Sequence, residues 1–287
     1  MIFILLFGFL IEIPLGLDRF LPVPPDNPLT AEKVALGRKL FFDKRLSRDE
    51  TVSCATCHDP AFAFSDGAPR AKGIRGQIGP RRTPRIANRA WGRTFFWDGR
   101  AATLEQQVLG PIANPLEMDL DPAVAARRLG LKVEDMQAAL ASYVRTIRSG
   151  GSAYDRYLAG NQQALDEEQK EGLALFRGKA GCTNCHLGPN LTDEEFHYTG
   201  AGRTPNDAGR KQQGFKTPSL RDVARTPPYM HDGSLESLDA VVDFYNEGGK
   251  PHPRLDSEMQ PLRLTPVEKR RLMRFLVSLN GSILDGL

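Results

Sequence analysis

Apolar residues recur at helical spacing in separate stretches of this chain. Between Thr30 and Phe42 they fall at Val34, Leu36, Leu40 and Phe41. Between Val133 and Ile147 they fall at Met136, Leu140, Val144 and Ile147, one clean helical face. Asp166 to Phe176 opens on a capping residue and an acidic first turn, and Ser237–Tyr245 and Pro266–Leu279 complete the set. The stretches between them, such as Asp66 to Phe95, are rich in Gly, Pro and Arg and read as loops. Alternating strand patterns are scarce. The N-terminus differs: Met1 to Leu17 is apolar like the core of a secretory signal, but it lacks a basic start and an Ala-x-Ala site. Glu12 and Pro14 interrupt it too early for a membrane span. Residues 1–20 are therefore read as a signal-like or anchor segment.

A repeat organises the remainder. Thr83-Pro84 matches Thr217-Pro218, Asp98-Gly99 matches Asp232-Gly233, and Thr103-Leu104-Glu105 matches Ser237-Leu238-Asp239, all at one offset of 134 residues without a gap. Gly37 to Phe42 and Gly172 to Arg177 precede the two halves' most informative motifs. Two related modules are expected, over 21–150 and 151–287.

Those motifs are Cys54-Ala55-Thr56-Cys57-His58 and Cys182-Thr183-Asn184-Cys185-His186, which use all four cysteines. Cys-x-x-Cys followed at once by His is the attachment pattern of c-type haem: the thiols add to the vinyl groups and the His reaches the iron. A disulfide, a redox dithiol or a four-Cys zinc site would not require a His after each pair. The expectation is two covalently bound haem c groups in two cytochrome c-like domains, mainly α, with long irregular loops wrapping the haems. Covalent haem attachment takes place outside the inner membrane, so the motifs imply a periplasmic protein. The 287 residues are 40% hydrophobic, and 38 basic residues nearly balance 35 acidic ones for a net charge of +3. Nothing in that balance points to nucleic acid, and part of the Arg surplus suits haem propionates.

Further stretches carry a resemblance: Leu40-Phe41-Phe42-Asp43, Cys54 to Pro60, Phe96-Trp97-Asp98-Gly99-Arg100, Gly110-Pro111-Ile112, Asn114-Pro115, Glu117, and Pro228-Tyr229-Met230-His231-Asp232-Gly233. Over roughly 30–280 the chain resembles the bacterial di-haem cytochrome c peroxidase and MauG family. The resemblance implies that the first haem reacts with hydrogen peroxide, that the second exchanges electrons, and that Trp97 lies between them. It places the distal pair of the first haem on Gln107, which orients peroxide, and Glu117, which moves its proton as general acid and base. Read without the resemblance, Glu117 caps the turn after Asn114-Pro115.

The repeat pairs Pro111 with Tyr245, again 134 residues apart. Proline cannot ligate iron, so the first haem stays open; tyrosine can, so the second can be closed. The family's peroxidases carry Met at this position and MauG-like enzymes Tyr, so the chain resembles the Tyr-ligated branch. The alternative is a packed Tyr245 with Met230 or Met259 as ligand. Residues 59–185 contain no His, and with none in that loop nothing there blocks the first iron. His231 is the counterpart of Trp97, with a structural or propionate-bonding role near the second haem, and His197 and His252 read as ordinary surface or loop residues.

Two departures stand out. Members of the family hold a calcium ion between the haems through an Asn side chain and the carbonyls of a Thr-x-Pro. Thr226 and Pro228 supply the latter, but Arg82 stands where the Asn would be. Arginine has no oxygen to offer, so either water completes a calcium site or Arg82 replaces its charge. MauG also has a surface Trp before its second motif, where this chain has Lys179-Ala180-Gly181; Trp91 and Trp97 are its only tryptophans. The leading reading is a MauG-like enzyme that uses peroxide to oxidise Trp or Tyr residues of a partner protein. A cytochrome c peroxidase drawing electrons from a small cytochrome is second, and a non-enzymatic electron carrier third.

Overall fold

The computed structural model describes residues 2–6, 9–202, 207, 209–210 and 214–287. Helices dominate. In chain order they are α1 (Ala31–Phe41), α2 (Cys54–Cys57), α3 (Leu104–Ala113), α4 (Pro122–Arg128), α5 (Val133–Arg145), α6 (Ala153–Leu158), α7 (Glu167–Arg177), α8 (Leu238–Asn246) and α9 (Pro266–Val277). The five helical stretches expected from periodicity correspond to α1, α5, α7, α8 and α9, each within two residues at either end. The short α4 and α6 carry too few turns to show a period. Three two-stranded antiparallel ladders accompany them among the described residues: β1 (Ile2–Leu6) with β2 (Phe9–Ile13), β3 (Arg148–Gly150) with β6 (Ser282–Leu284), and β4 (Phe196–His197) with β5 (Phe215–Lys216).

The apolar N-terminal stretch thus forms a hairpin. From Ile11 on it belongs to the folded body, because Ile11, Ile13, Leu17 and Leu21 are buried in the same core as α1, α3 and α5. Met1, Phe7 and Gly8 lie outside the described residues. No described helix is long and apolar enough to cross a membrane.

Buried apolar side chains fall into two clusters, one from Ile11 to Ile147 and one from Leu165 to Leu279. The 134-residue offset is visible in the backbone. Thr103 and Ser237 cap α3 and α8 with nearly identical dihedrals (φ −134°, ψ 161° and φ −137°, ψ 161°), each accepting from the amide three residues on. Phe96 and Met230 both sit at φ 67°, Gly99 and Gly233 both at 64°.

Each half is built on one close helix crossing. A Cβ on Gly37 of α1 would lie 1.9 Å from the Ala139 carbonyl oxygen of α5 and 2.8 Å from the Cβ of Tyr143. A Cβ on Gly172 of α7 would lie 2.1 Å from the Arg271 carbonyl oxygen of α9 and 2.8 Å from the Cβ of Phe275. Only glycine lets the backbones approach so closely, which explains why the same Gly precedes both Cys-x-x-Cys-His motifs.

The halves are tied by crossed hydrogen bonds. The Arg82 amide donates to the His231 carbonyl (2.8 Å), and the equivalent Lys216 amide donates to the Trp97 carbonyl (2.9 Å). β3, directly after the first core, pairs with the chain's last strand, and Ser149 on it bonds Asn88 and the buried Asp222.

Candidate functional site

One cavity of about 860 Å³ runs between the two halves and is lined from both. That volume lies within the range typical of ligand and cofactor pockets. From the first half come Cys57, His58, Trp97, Gln107, Pro111 and Glu117; from the second come Cys182, Cys185, His186, Tyr245 and the carbonyl-bearing Thr226. Cys54 is packed against the first core behind the wall, and Pro228 lines a separate small cavity with Pro227. Met230 and Met259 also face the main cavity.

α2 is a single turn capped by Ser53, which puts Cys54, Cys57 and His58 at one corner. His58 is partly buried, and its Nδ1 lies 3.2 Å from the Phe64 carbonyl oxygen; Nδ1 of His186 lies 3.1 Å from that of Leu191. An imidazole whose Nδ1–H is held by a carbonyl presents an unprotonated Nε2, the form that ligates a metal. Burial holds both imidazoles below the usual histidine range, which keeps them neutral. All four cysteines are free of disulfides. Burial pushes Cys54 and Cys182 up to about 12 and Cys57 up to about 11, so these thiols are poor thiolates and poor candidates for a redox dithiol. The residues fit two haems, each anchored by a Cys pair and a neutral His.

In the same cavity as His58, burial raises the Glu117 carboxyl above the ordinary glutamate range, against the hydrogen bond from Asn114 Nδ2 at 2.7 Å and the field of Arg100. Asn114 therefore fixes one carboxylate oxygen, as a positioned acid–base group requires. The same turn is held by the Asn114 side chain, which accepts from the Leu116 amide at 3.0 Å, and by the Glu117 amide, which donates to the Asn114 carbonyl at 3.0 Å. Pro111 is inside α3 and Tyr245 inside α8, at equivalent positions of the two helices. Burial and the nearby Cys182 and Cys185 thiols push the Tyr245 phenol well above its ordinary value. Its hydroxyl makes no hydrogen bond to a described residue, which leaves it free for a ligand in the cavity.

Trp97 is fixed at both ends. Its Nε1 donates to the Arg82 carbonyl at 3.0 Å, and its own carbonyl accepts from Lys216. The Arg82 guanidinium, 7% exposed, donates to the Thr226 carbonyl at 3.0 Å and to Ser65 Oγ at 3.1 Å. A fixed positive charge thus stands against the very carbonyl on which the expected calcium site rests. Burial lowers this guanidinium to about 10, partly offset by Asp66 and Tyr229, so it remains charged at neutral pH.

Sequence reasoning missed two groups. His197 is not an ordinary loop residue: its ring is held between Asp256 (2.6 Å from Nδ1) and Asp193 (2.9 Å from Nε2) at the cavity wall. Asp256 is 59 residues away, beyond any local signal. The second is Glu194, which accepts from Arg89 at 2.7 and 3.0 Å, from the Arg93 amide at 3.1 Å and from Lys216 at 3.3 Å, joining the two halves. Burial pushes this carboxyl up, but Arg89 and Lys216 outweigh it and hold it at about 2. A depressed carboxylate contributes stability above its unfolded pKa of about 4.5 and loses it as pH falls towards 2. Glu194→Ala removes the carboxylate from the partly buried Arg89 and from Lys216, whose amine burial lowers to about 7, and is expected to cost about 3 kcal/mol at pH 7, measured by chemical denaturation, with the deficit shrinking as pH is lowered through 4.

The pattern of the di-haem cytochrome c peroxidase family matches residues 31–163. The methylamine utilization protein MauG of Methylorubrum extorquens is 44% identical over 91% of this chain and 81% of its own. The cytochrome c551 peroxidase of Pseudomonas aeruginosa is 33% identical over 91% and 84%. The crystal structure of a MauG-like protein associated with microbial copper homeostasis superposes with a TM-score of 0.84 at 33% identity, over 94% of this chain and 93% of that one. The chain belongs to the di-haem cytochrome c peroxidase and MauG family. It is an oxidoreductase of that family, with haem as its cofactor.

Proposed function

We propose that this chain is a MauG-like periplasmic enzyme that uses hydrogen peroxide to oxidise Trp or Tyr residues of a partner protein. Its two cytochrome c-like domains hold haem c covalently through Cys54, Cys57 and His58 and through Cys182, Cys185 and His186. The observation that carries this reading is the pairing of Pro111 and Tyr245 at equivalent helix positions in one cavity. One side offers iron no sixth ligand; the other offers a phenol. The haems supply the redox chemistry. The chain's residues bind and position: Gln107 orients peroxide, Glu117 carries a proton between its two oxygens, and Trp97, pinned by Arg82 and Lys216, bridges the halves. An anionic phenolate at the second haem favours higher oxidation states, whereas Met raises the potential, so Tyr245 suits storage of oxidising equivalents rather than acceptance of electrons from a small cytochrome.

The cytochrome c peroxidase reading is kept alive by Met230 and Met259, which line the same cavity. The two readings part in one assay. The enzyme and peroxide are offered a reduced small cytochrome and, separately, proteins encoded by neighbouring genes. A peroxide-dependent mass change in one of those proteins is expected; fast cytochrome oxidation with no such change rejects the MauG-like reading.

Two further outcomes follow. The denatured protein is expected to exceed its polypeptide mass by two haems, and a single-haem mass would rule out the two-domain attachment. We also infer that Arg82 takes the place of calcium at Thr226, so a calcium chelator is expected to leave the haem spectra and peroxide reactivity unchanged. Loss of reactivity restored by added calcium would contradict this.

A further inference from the structure

The two close helix crossings differ by one hydroxyl. Where α7 meets α9, the residue facing Gly172 is Phe275, with Phe176 against it at 5.0 Å between ring centroids. Where α1 meets α5, the residue facing Gly37 is Tyr143, with Phe41 against it at 5.1 Å. Phe275 shows that phenylalanine fills this position, so packing does not demand the oxygen. A buried hydroxyl also costs free energy unless it is partnered.

Tyr143 is wholly buried, and its partner comes from far along the chain: its hydroxyl donates to Asp285 Oδ2 at 2.8 Å. Asp285 is held there by the pairing of β6 with β3 and by the Gly286 amide, which donates to Thr146 Oγ1 at 3.1 Å. The Asp285 side chain is 33% exposed, with Arg38 Nε 3.5 Å away. On its other side Tyr143 leads back to the first haem site. Phe41 touches Tyr143 and also faces the His58 ring, 6.5 Å between centroids. A continuous run of rings thus joins the His58 imidazole to a phenol that already hydrogen-bonds a carboxylate.

Burial and the Asp285 carboxylate push the Tyr143 phenol far above its ordinary value, so it holds its proton at neutral pH. An oxidised phenol, by contrast, is strongly acidic and needs an acceptor within hydrogen-bond reach. Asp285 is that acceptor.

We propose that Tyr143 and Asp285 form an internal electron-donating site for the first haem. When peroxide has oxidised the haem held by His58 and no partner protein reacts, Tyr143 gives up one electron by way of Phe41 and His58. Its O–H bond breaks, the proton passes to Asp285 Oδ2, and a neutral tyrosyl radical remains. One of the two oxidising equivalents is thereby consumed inside the protein. The proposal rests on the peroxide-using reading above.

The test uses the di-haem holoenzyme, with ordinary and ring-deuterated tyrosine, mixed with hydrogen peroxide without partner and frozen at successive times. Electron paramagnetic resonance is expected to show an organic radical that narrows on tyrosine deuteration, disappears in Tyr143→Phe and falls several-fold in Asp285→Asn. The oxidised haem state is expected to last several-fold longer in Tyr143→Phe. The visible haem spectrum of the same samples separates the failures. Haem oxidation with no tyrosyl radical in the wild type, or with the same radical surviving in Tyr143→Phe, overturns this proposal alone. A haem spectrum indifferent to peroxide overturns the enzyme reading and this proposal together.

Discussion

Glu117→Gln is expected to slow the reaction of the holoenzyme with hydrogen peroxide by about 10²–10⁴-fold, or roughly 3–5 kcal/mol of barrier. The substitution keeps the size of the side chain and its bond to Asn114, so binding is little disturbed and the loss falls on proton transfer. The pH profile gives the sign. Burial raises the Glu117 pKa above 4.5, so the carboxyl stays protonated to higher pH than an exposed glutamate. If it must first act as base, the wild-type rate falls on the acid side with an apparent pKa above 4.5, and that limb is absent in the Gln variant. Stopped-flow absorbance of the haem bands measures both. A Gln variant within a factor of about three of wild type would move the acid–base role to another group.

How much of this was legible in the sequence follows from the range of each interaction. The candidate haem motifs were readable because Cys54–His58 and Cys182–His186 are local. The module pairing was readable because no insertion breaks the offset between Thr83 and Tyr245. α1, α5, α7, α8 and α9 were readable from their apolar stripes. What escaped depends on contacts across the chain. Glu194 meets Arg89 from 105 residues away, Tyr143 meets Asp285 from 142, and Arg82 meets the Thr226 carbonyl from 144. Each buried charge or hydroxyl looks like an ordinary polar residue until its partner arrives. Burial of Ile11, Ile13, Leu17 and Leu21 in the first core likewise depends on contacts that their own sequence does not show.

Tyr245→Met is expected to raise the potential of the second haem, by on the order of 0.1 V within the ≈ 0.8 V span that axial ligands cover. The phenolate stabilises ferric and more oxidised iron by its charge; a thioether does not. The variant should lose capacity to hold oxidising equivalents and gain rate with a reduced small cytochrome, shifting its behaviour towards the peroxidase branch. Spectroelectrochemical titration of the two haems provides the value. An unchanged potential would mean that Tyr245 is a packed side chain and that Met230 or Met259 occupies the sixth position.

The central claim is that equivalent positions in two related modules leave one iron open and close the other. Electron paramagnetic resonance of the ferric holoenzyme, wild type and Tyr245→Phe, tests it most directly. The account predicts one high-spin five-coordinate haem, on His58, in both proteins. It also predicts one low-spin haem, on His186, whose signal is lost in Tyr245→Phe. A low-spin signal that persists in the variant, or a wild type with both haems low-spin, would contradict it.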